Sequence, residues 1–341
     1  MRPSMKHHFQ SLLRSAAAIA LAALFSLVFA VLSPVAAQTP AASYPVKPVR
    51  LVIGFAPGGA ADYVARVLAE PMGRTLGQAV VVENRAGAGS SIAAEHVAKA
   101  PPDGYTVLIA SPSSIAVNPA VNPKLGYSAR DLHPVTKVSA SPLVIAVNTG
   151  MGINNMRELI AAAKKVPGKY NYASSGNGSA PHLSGVLFTR MAGLDMVHVP
   201  FKGGGPAVQS VVAGDTQMTF GTPPSVLPLV QSGRLRALGI TSRERSPLMP
   251  ELPGMREAGL PDYEMAFWYG IFVPVGTPPA IVKRLYDAAI AALQLPDVVK
   301  AFAREGTETA MSKSPEEFAA FLTEDAKVWQ RLVKESKLTA D

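Results

Sequence analysis

The chain has no cysteine, so disulfides, zinc-thiolate sites, iron–sulfur clusters and cysteine nucleophiles are excluded together; the absence leaves the compartment open. Charge is scarce as well: 16% of the 341 residues are ionic against 48% apolar. That balance excludes disorder as the main state, and the length suggests one or two domains. The formal excess of +8 is spread thinly, with no run of five basic residues, which disfavours nucleic acid as a partner. His96, His133, His182 and His198 make no metal-type pair at helical spacing, so no metal site is expected. Neither a phosphate loop ending in Lys-Ser/Thr nor a dinucleotide fingerprint occurs; nucleotides are disfavoured and no cofactor is expected.

What is present begins with a leader. Arg2, Lys6 and Arg14 precede an apolar stretch from Ala16 to Leu32, and Val35-Ala36-Ala37 places small residues where a signal peptidase reads. The expectation is a secretory signal cleaved after Ala37 and an exported mature protein. The alternative is an uncleaved anchor, since this stretch nearly reaches the roughly 20 residues of a spanning helix; Pro34 and the small triplet favour cleavage. No later run of eighteen apolar residues follows, so a soluble mature chain is expected.

From Val49 onward short apolar runs alternate with segments of helical period, which argues for an α/β fold. Strands are expected at Val49 to Phe55, Ala79 to Glu83 and Tyr105 to Ala110, with helices at Asp62 to Leu76 and Gly89 to Lys99 between them. Pro71 leaves a kink or break open in the first helix. Leu143 to Val147 reads as a strand buried on both faces. Beyond it the βα pattern repeats: helices at Met156 to Lys165, Pro181 to Met191, Pro206 to Ala213 and Val226 to Gln231, with strands at Tyr170 to Ala173, Met196 to Val199, Gln217 to Phe220 and Leu235 to Ile240. A late strand, Trp268 to Val273, leads into a helix with the stripe Ile281, Leu285, Ala288, Ala289 and Ala292. The last helix opens at Ser314-Pro315-Glu316-Glu317 and is expected to bury Phe318, Phe321, Leu322, Val328, Trp329, Leu332 and Val333. Two βα sheets joined near residues 142 and 270 suggest two lobes, one from residues 38–140 and 265–341 and one from 141–264, with a ligand cleft between them.

Two loops carry the candidate chemistry. Phe55, Gly58, Gly59, Ala60, Ala61 and Asp62 lie where a strand gives way to a helix, so close backbone approach and free N–H groups suit a carboxylate or phosphate. Ser174, Ser175, Gly178, Ser179 and His182 repeat that logic with more hydroxyls. The same residues also make ordinary capped βα turns. Ser113, just beyond the third strand, joins the candidate set. Lys202 on a glycine turn adds positive charge, Asp215 stands at a strand entrance, and Trp268 lies on the return crossing; each also has a bland reading as solvated lysine, turn or core. No Gly-x-Ser-x-Gly elbow surrounds Ser179, which disfavours a hydrolase, and no catalytic residue is assigned.

Taken in order, these stretches resemble the Bug receptors, the extracytoplasmic substrate-binding proteins associated with tripartite tricarboxylate transporters. The resemblance rests on Tyr44-Pro45, Lys47-Pro48, the Phe55 to Asp62 turn, Val82-Glu83-Asn84-Arg85 with Gly87-Ala88-Gly89, and Asp103-Gly104-Tyr105. It continues through Asn118-Pro119, Tyr172 to Gly176, His182-Leu183, Val199 to Gly203 and Trp268-Tyr269-Gly270. It implies a two-lobed periplasmic binding protein of type II that closes on a small carboxylate, with Gly58 to Asp62 and Ser174, Ser175, Gly178, Ser179 and His182 holding it. It also implies a membrane permease as partner; a monomer is expected. Relatives often carry a hydroxyl just before the aspartate of the first loop and a tyrosine at the position of Phe55. Ala60, Ala61 and Phe55 depart from that, which shifts expectation toward a less polar acid. A ligand sensor feeding a signalling partner would use the same lobes, and an exported hydrolase is the third reading.

Overall fold

A computed structural model describes residues 44–336 apart from 123; the expected signal peptide and its cleavage site lie outside the described residues. The first part of the chain forms β1 (Val49–Ile53), α1 (Ala60–Leu76), β2 (Val80–Asn84), α2 (Ser91–Ala98), β3 (Thr106–Ala110), a π-helical turn (Ser113–Val117), α3 (Asn118–Val121) and β4 (Leu132–Pro142). The middle forms β5 (Val144–Asn148), α4 (Met156–Lys165), β6 (Asn171–Ser174), α5 (Ala180–Ala192), β7 (Val197–Pro200), α6 (Gly204–Ala213), β8 (Met218–Gly221), α7 (Pro223–Gln231) and β9 (Leu235–Ile240). The chain ends with β10 (Ala266–Pro274), α8 (Pro279–Leu293), α9 (Pro296–Arg304), β11 (Glu308–Thr309) and α10 (Pro315–Ser336).

These strands make two sheets. The first runs β11-β4-β10-β3-β1-β2 and the second β7-β6-β8-β5-β9. In the first, β1 pairs in parallel with both β2 and β3, while β10 lies antiparallel between β3 and β4. In the second, β6 pairs in parallel with β7 and β8, and β5 lies antiparallel between β8 and β9. The strand plan is therefore repeated. Helices cover the faces, which is why β3 (TVLIA) is buried throughout rather than alternating.

The chain passes between the sheets at Leu143 and returns through Met265. Thr241, fully buried, ties both passages: its hydroxyl accepts from Leu143 N–H at 2.7 Å and donates to the Met265 carbonyl at 2.8 Å. Its backbone N–H reaches the Leu143 carbonyl (2.9 Å) and its carbonyl takes Met265 N–H (2.9 Å).

Three expectations change. α1 is continuous through Pro71, because Leu68, Pro71 and Met72 are buried on one face and that packing outweighs one missing N–H. α10 buries Phe318, Trp329 and Val333, but Val328 is exposed, one position off the stripe. β4 and α9 were not anticipated from sequence. Among the described residues no helix is long and apolar enough to cross a membrane.

Candidate functional site

A small cavity lies between the two sheets at the ends of β1, β6 and β8. From the first lobe it is lined by Phe55, Gly59, Ala60, Ala61, Ser113 and the alternate β10 side chains Phe267 and Tyr269. From the second it is lined by Ser175, Pro181, Gly204, Ala207, Val208, Thr219, Gly221 and Thr222. Its volume is ≈ 20 Å³ as the space open to the centre of a water-sized sphere, little more than one water requires. The lobes are thus shut against each other: Ala56 N–H donates to the Lys202 carbonyl across them at 3.0 Å.

The first-lobe wall follows from how β1 ends. Gly58, at φ +82, turns the chain, and Asp62 locks the turn: its carboxylate accepts from Gly58 N–H (3.2 Å), Arg66 (2.9 Å) and Asn84 (3.1 Å). Burial pushes the Asp62 carboxyl upward, but these donors outweigh it and hold it below the usual carboxylate range. Asp62 is therefore a brace whose hydrogen bonds point back into the loop. Gly59 caps α1 without a side-chain bond, so first-turn N–H groups remain for a ligand. One of them is used: the Tyr269 hydroxyl pairs with the Ala61 backbone, while burial raises the phenol's pKa.

The second-lobe wall is held from behind. The Ser174 hydroxyl accepts from Gly176 N–H (3.1 Å) and lies 2.6 Å from His198 Nε2. Ser179 caps α5 through His182 N–H (3.3 Å), and His182 Nδ1 accepts from Gly178 N–H (3.1 Å). Glycine suits position 178: at φ +70 a side chain is strained, and a Cβ would overlap Asn118 Oδ1 of the opposite lobe, which would have to shift.

Of the residues expected from sequence, Phe55, Gly59, Ala60, Ala61, Ser113 and Ser175 line the cavity. Gly58, Asp62, Ser174, Gly178, Ser179 and His182 build the loops behind it. Lys202 is exposed and borders a separate recess of ≈ 220 Å³ with Ser175, Gly176 and Gly87 to Gly89. Two placements are corrected. Asp215 is exposed at the entry end of β8, whereas the cavity takes Gly221 and Thr222 at the exit end. Trp268 faces the other side of β10, stacked edge-on to Phe318 and Phe321 at 5.7 and 5.9 Å with its indole N–H on Asp325 (2.9 Å), because side chains alternate along a strand. Its neighbours Phe267 and Tyr269 are the cavity residues. From the aromatic run Phe267-Trp268-Tyr269, which the sequence offered as a whole, Trp268 was singled out in place of these two; Thr219, Thr222 and the start of α6 were missed, the glycine turn Gly203-Gly204-Gly205 being the available signal.

Two features define what this site can do. Its described lining contains no carboxylate, histidine, lysine or arginine, and α1, α5, α6 and α7 all start at it, so helix N-termini supply the positive potential. Ser113 adds a hydroxyl that is fully buried yet without a hydrogen-bond partner; it opens a π-helical turn, a local widening often found at functional sites. Among the described residues no group of three His, Cys, Asp or Glu side chains is placed to hold a metal ion.

Two repeated α/β lobes enclosing a site between them define a periplasmic binding protein fold. Residues 64–338 match the TctC family, described as "Tripartite tricarboxylate transporter family receptor", and the chain belongs to that family of solute-binding receptors. It is 39% identical over 301 residues to a UPF0065 protein of Pseudomonas sp. strain P51 (88% of this chain, 89% of the relative). It is 37% identical over 311 residues to Protein BugT of Bordetella pertussis (91% and 95%). Among solved structures it resembles the periplasmic binding protein BugD (TM-score 0.84, 32% identity, 87% of this chain and 100% of that one). It also resembles R. palustris Rpa4515 with adipate (0.83, 32%, 87% and 99%) and MatC of Rhodopseudomonas palustris with bound malate (0.80, 33%, 85% and 100%).

Proposed function

We propose that this chain, exported with a signal cleaved near Ala37, captures a small carboxylate by closing residues 38–140 with 265–341 onto residues 141–264, and delivers it to the membrane part of a tripartite tricarboxylate transporter. The observation that carries the reading is the convergence of helix starts and the unpartnered Ser113 hydroxyl on one interlobe cavity with no carboxylate in its wall. An anion there meets backbone N–H groups and hydroxyls from both lobes, and no fixed negative charge opposes it. The structures with adipate and malate are consistent with this ligand class. The hydroxyl–imidazole contact of Ser174 with His198 lies behind the cavity wall, and in this reading the ligand leaves unchanged.

Entry requires opening, because the closed cavity has room for little more than a water. The ligand contacts proposed are Phe55, Gly59, Ala60, Ser113, Ser175, Gly204, Thr222 and Tyr269. The test is a thermal-shift screen of the mature protein against malate, adipate, citrate, glutamate and benzoate, with the corresponding amides as controls. A bound acid at a hundredfold excess over its Kd adds about 2.7 kcal/mol of stability. A transition raised by an acid and untouched by its amide supports the reading. If only neutral or cationic solutes shift it, the reading fails.

A further inference from the structure

His198 lies on β7, outside the cavity, yet it is bound into the loop that makes the cavity's second wall. Its ring stacks on His182 with centroids 3.8 Å apart and planes 10° from parallel. Its Nε2 lies 2.6 Å from the Ser174 hydroxyl, which in turn holds Gly176 N–H. Parallel pairing of β6 with β7 sets Tyr172 opposite His198, and the two rings lie 5.1 Å apart. The residue between Ser174 and Gly176 is Ser175, which lines the cavity. His182, the other member of the stack, anchors Gly178 N–H at the start of α5.

We infer that His198 is a positioning residue for ligand binding: stacked on His182 and hydrogen-bonded to Ser174, it fixes Ser175 and the start of α5 in the geometry that receives the carboxylate. It never touches the ligand. A loop of small residues containing Gly176 at φ +122 and Gly178 at φ +70 has little rigidity of its own, and a site that binds through backbone donors depends on where that backbone is held. The two imidazoles supply the holding from one side. Burial, and next to it the neighbouring His182 ring, depress the His198 pKa to about 3, so the stack is not split by charge at His198 at neutral pH. The titratable groups facing this ring are His182 on α5 and Tyr172 on β6.

This inference rests on the carboxylate-receptor reading, and the experiment separates the two. His198→Phe keeps the ring and removes the nitrogen; His198→Gln restores a polar partner for Ser174. Amide exchange at Gly176 and Gly178 needs no ligand: His198→Phe is expected to speed it about tenfold while β8 amides stay as in the parent, and His198→Gln to recover most of the protection. Calorimetric titration with malate, adipate, citrate, glutamate and benzoate then reads affinity. An acid that binds the parent is expected to bind His198→Phe about tenfold more weakly and His198→Gln nearly normally, and Ser174→Ala to cost less affinity in His198→Phe than in the parent. Parent-like exchange and parent-like affinity in His198→Phe overturn the inference, as does a loss that His198→Gln fails to rescue. Changed exchange with no acid bound by the parent overturns the receptor reading and, with it, the role in binding.

Discussion

Ser113 lines the cavity, and its buried hydroxyl has no partner. Leaving such a group unpaired costs about 1–3 kcal/mol, whereas replacing it with an apolar group of similar shape is close to neutral. Ser113→Ala is therefore expected to leave the thermal midpoint of the ligand-free protein unchanged or raised while weakening carboxylate affinity by about fivefold to tenfold. A lowered midpoint with unchanged affinity would make Ser113 structural. His198 carries a second residue-level expectation, this one of pH. Its folded pKa of about 3 lies below the ordinary value of 6.5. Above pH 6.5 both folded and unfolded chains hold it neutral and it contributes nothing. Between pH 6.5 and 3 the unfolded chain takes up a proton that the folded one refuses, so stability falls as pH falls across that window. His198→Gln removes this contribution, and its denaturation midpoint should decline less steeply between pH 6 and 4 than the parent's.

Thr241 shows how an element junction is built from one side chain. It joins the outgoing passage at Leu143 to the return at Met265, so Thr241→Val keeps the shape but strands Leu143 N–H and the Met265 carbonyl in a buried place. The expected cost is about 1–3 kcal/mol, read from urea denaturation; an unshifted midpoint would mean that water reaches the junction. Most elements were legible because apolar runs and helical stripes followed burial, as at α4 and β9. β4 was not, because Leu132, Val135 and Val138 recur at three-residue spacing: register shifts in its pairing with β10 break the period-2 pattern on which strand reading depends. α9 escaped because only Val298 and Phe302 are buried along it. At the site, the loop after β1 was legible from its glycines. Parity along β10 was not, since Phe267-Trp268-Tyr269 are all aromatic and only pairing with β3 and β4 decides which of them faces the cleft. The second loop's serines were legible as a group, but the split between Ser175 in the wall and Ser174 behind it depends on His198, twenty-four residues away and on another strand.

Across the whole molecule, the two sheets carry one plan, β2-β1-β3-β10-β4 in the first and β7-β6-β8-β5-β9 in the second, so the ends of corresponding strands β1 and β6 meet face to face. Glycine makes the meeting possible. A Cβ at Gly205 would lie 3.1 Å from the Pro57 carbonyl oxygen and 3.4 Å from the Gly58 carbonyl carbon, both of the opposite lobe, whereas nothing in its own backbone conformation forbids a side chain. Gly205→Ala therefore acts differently on the two halves of the proposed cycle. In the open form it reduces the freedom of the unfolded chain, worth about 0.4–1 kcal/mol in favour of folding. In the closed form it presses on the backbone of the other lobe and holds the lobes apart by a few tenths of an ångström, which lengthens each hydrogen bond made to a ligand bridging them. The ligand-free thermal midpoint is expected to stay or rise, carboxylate affinity to fall several-fold, and the contraction seen by small-angle scattering on adding the acid to shrink. Parent-like affinity together with parent-like contraction in Gly205→Ala would show that the ligand-bound lobes do not approach as closely as Gly205 and Pro57 do here, and the proposed closure would have to stop short of this contact.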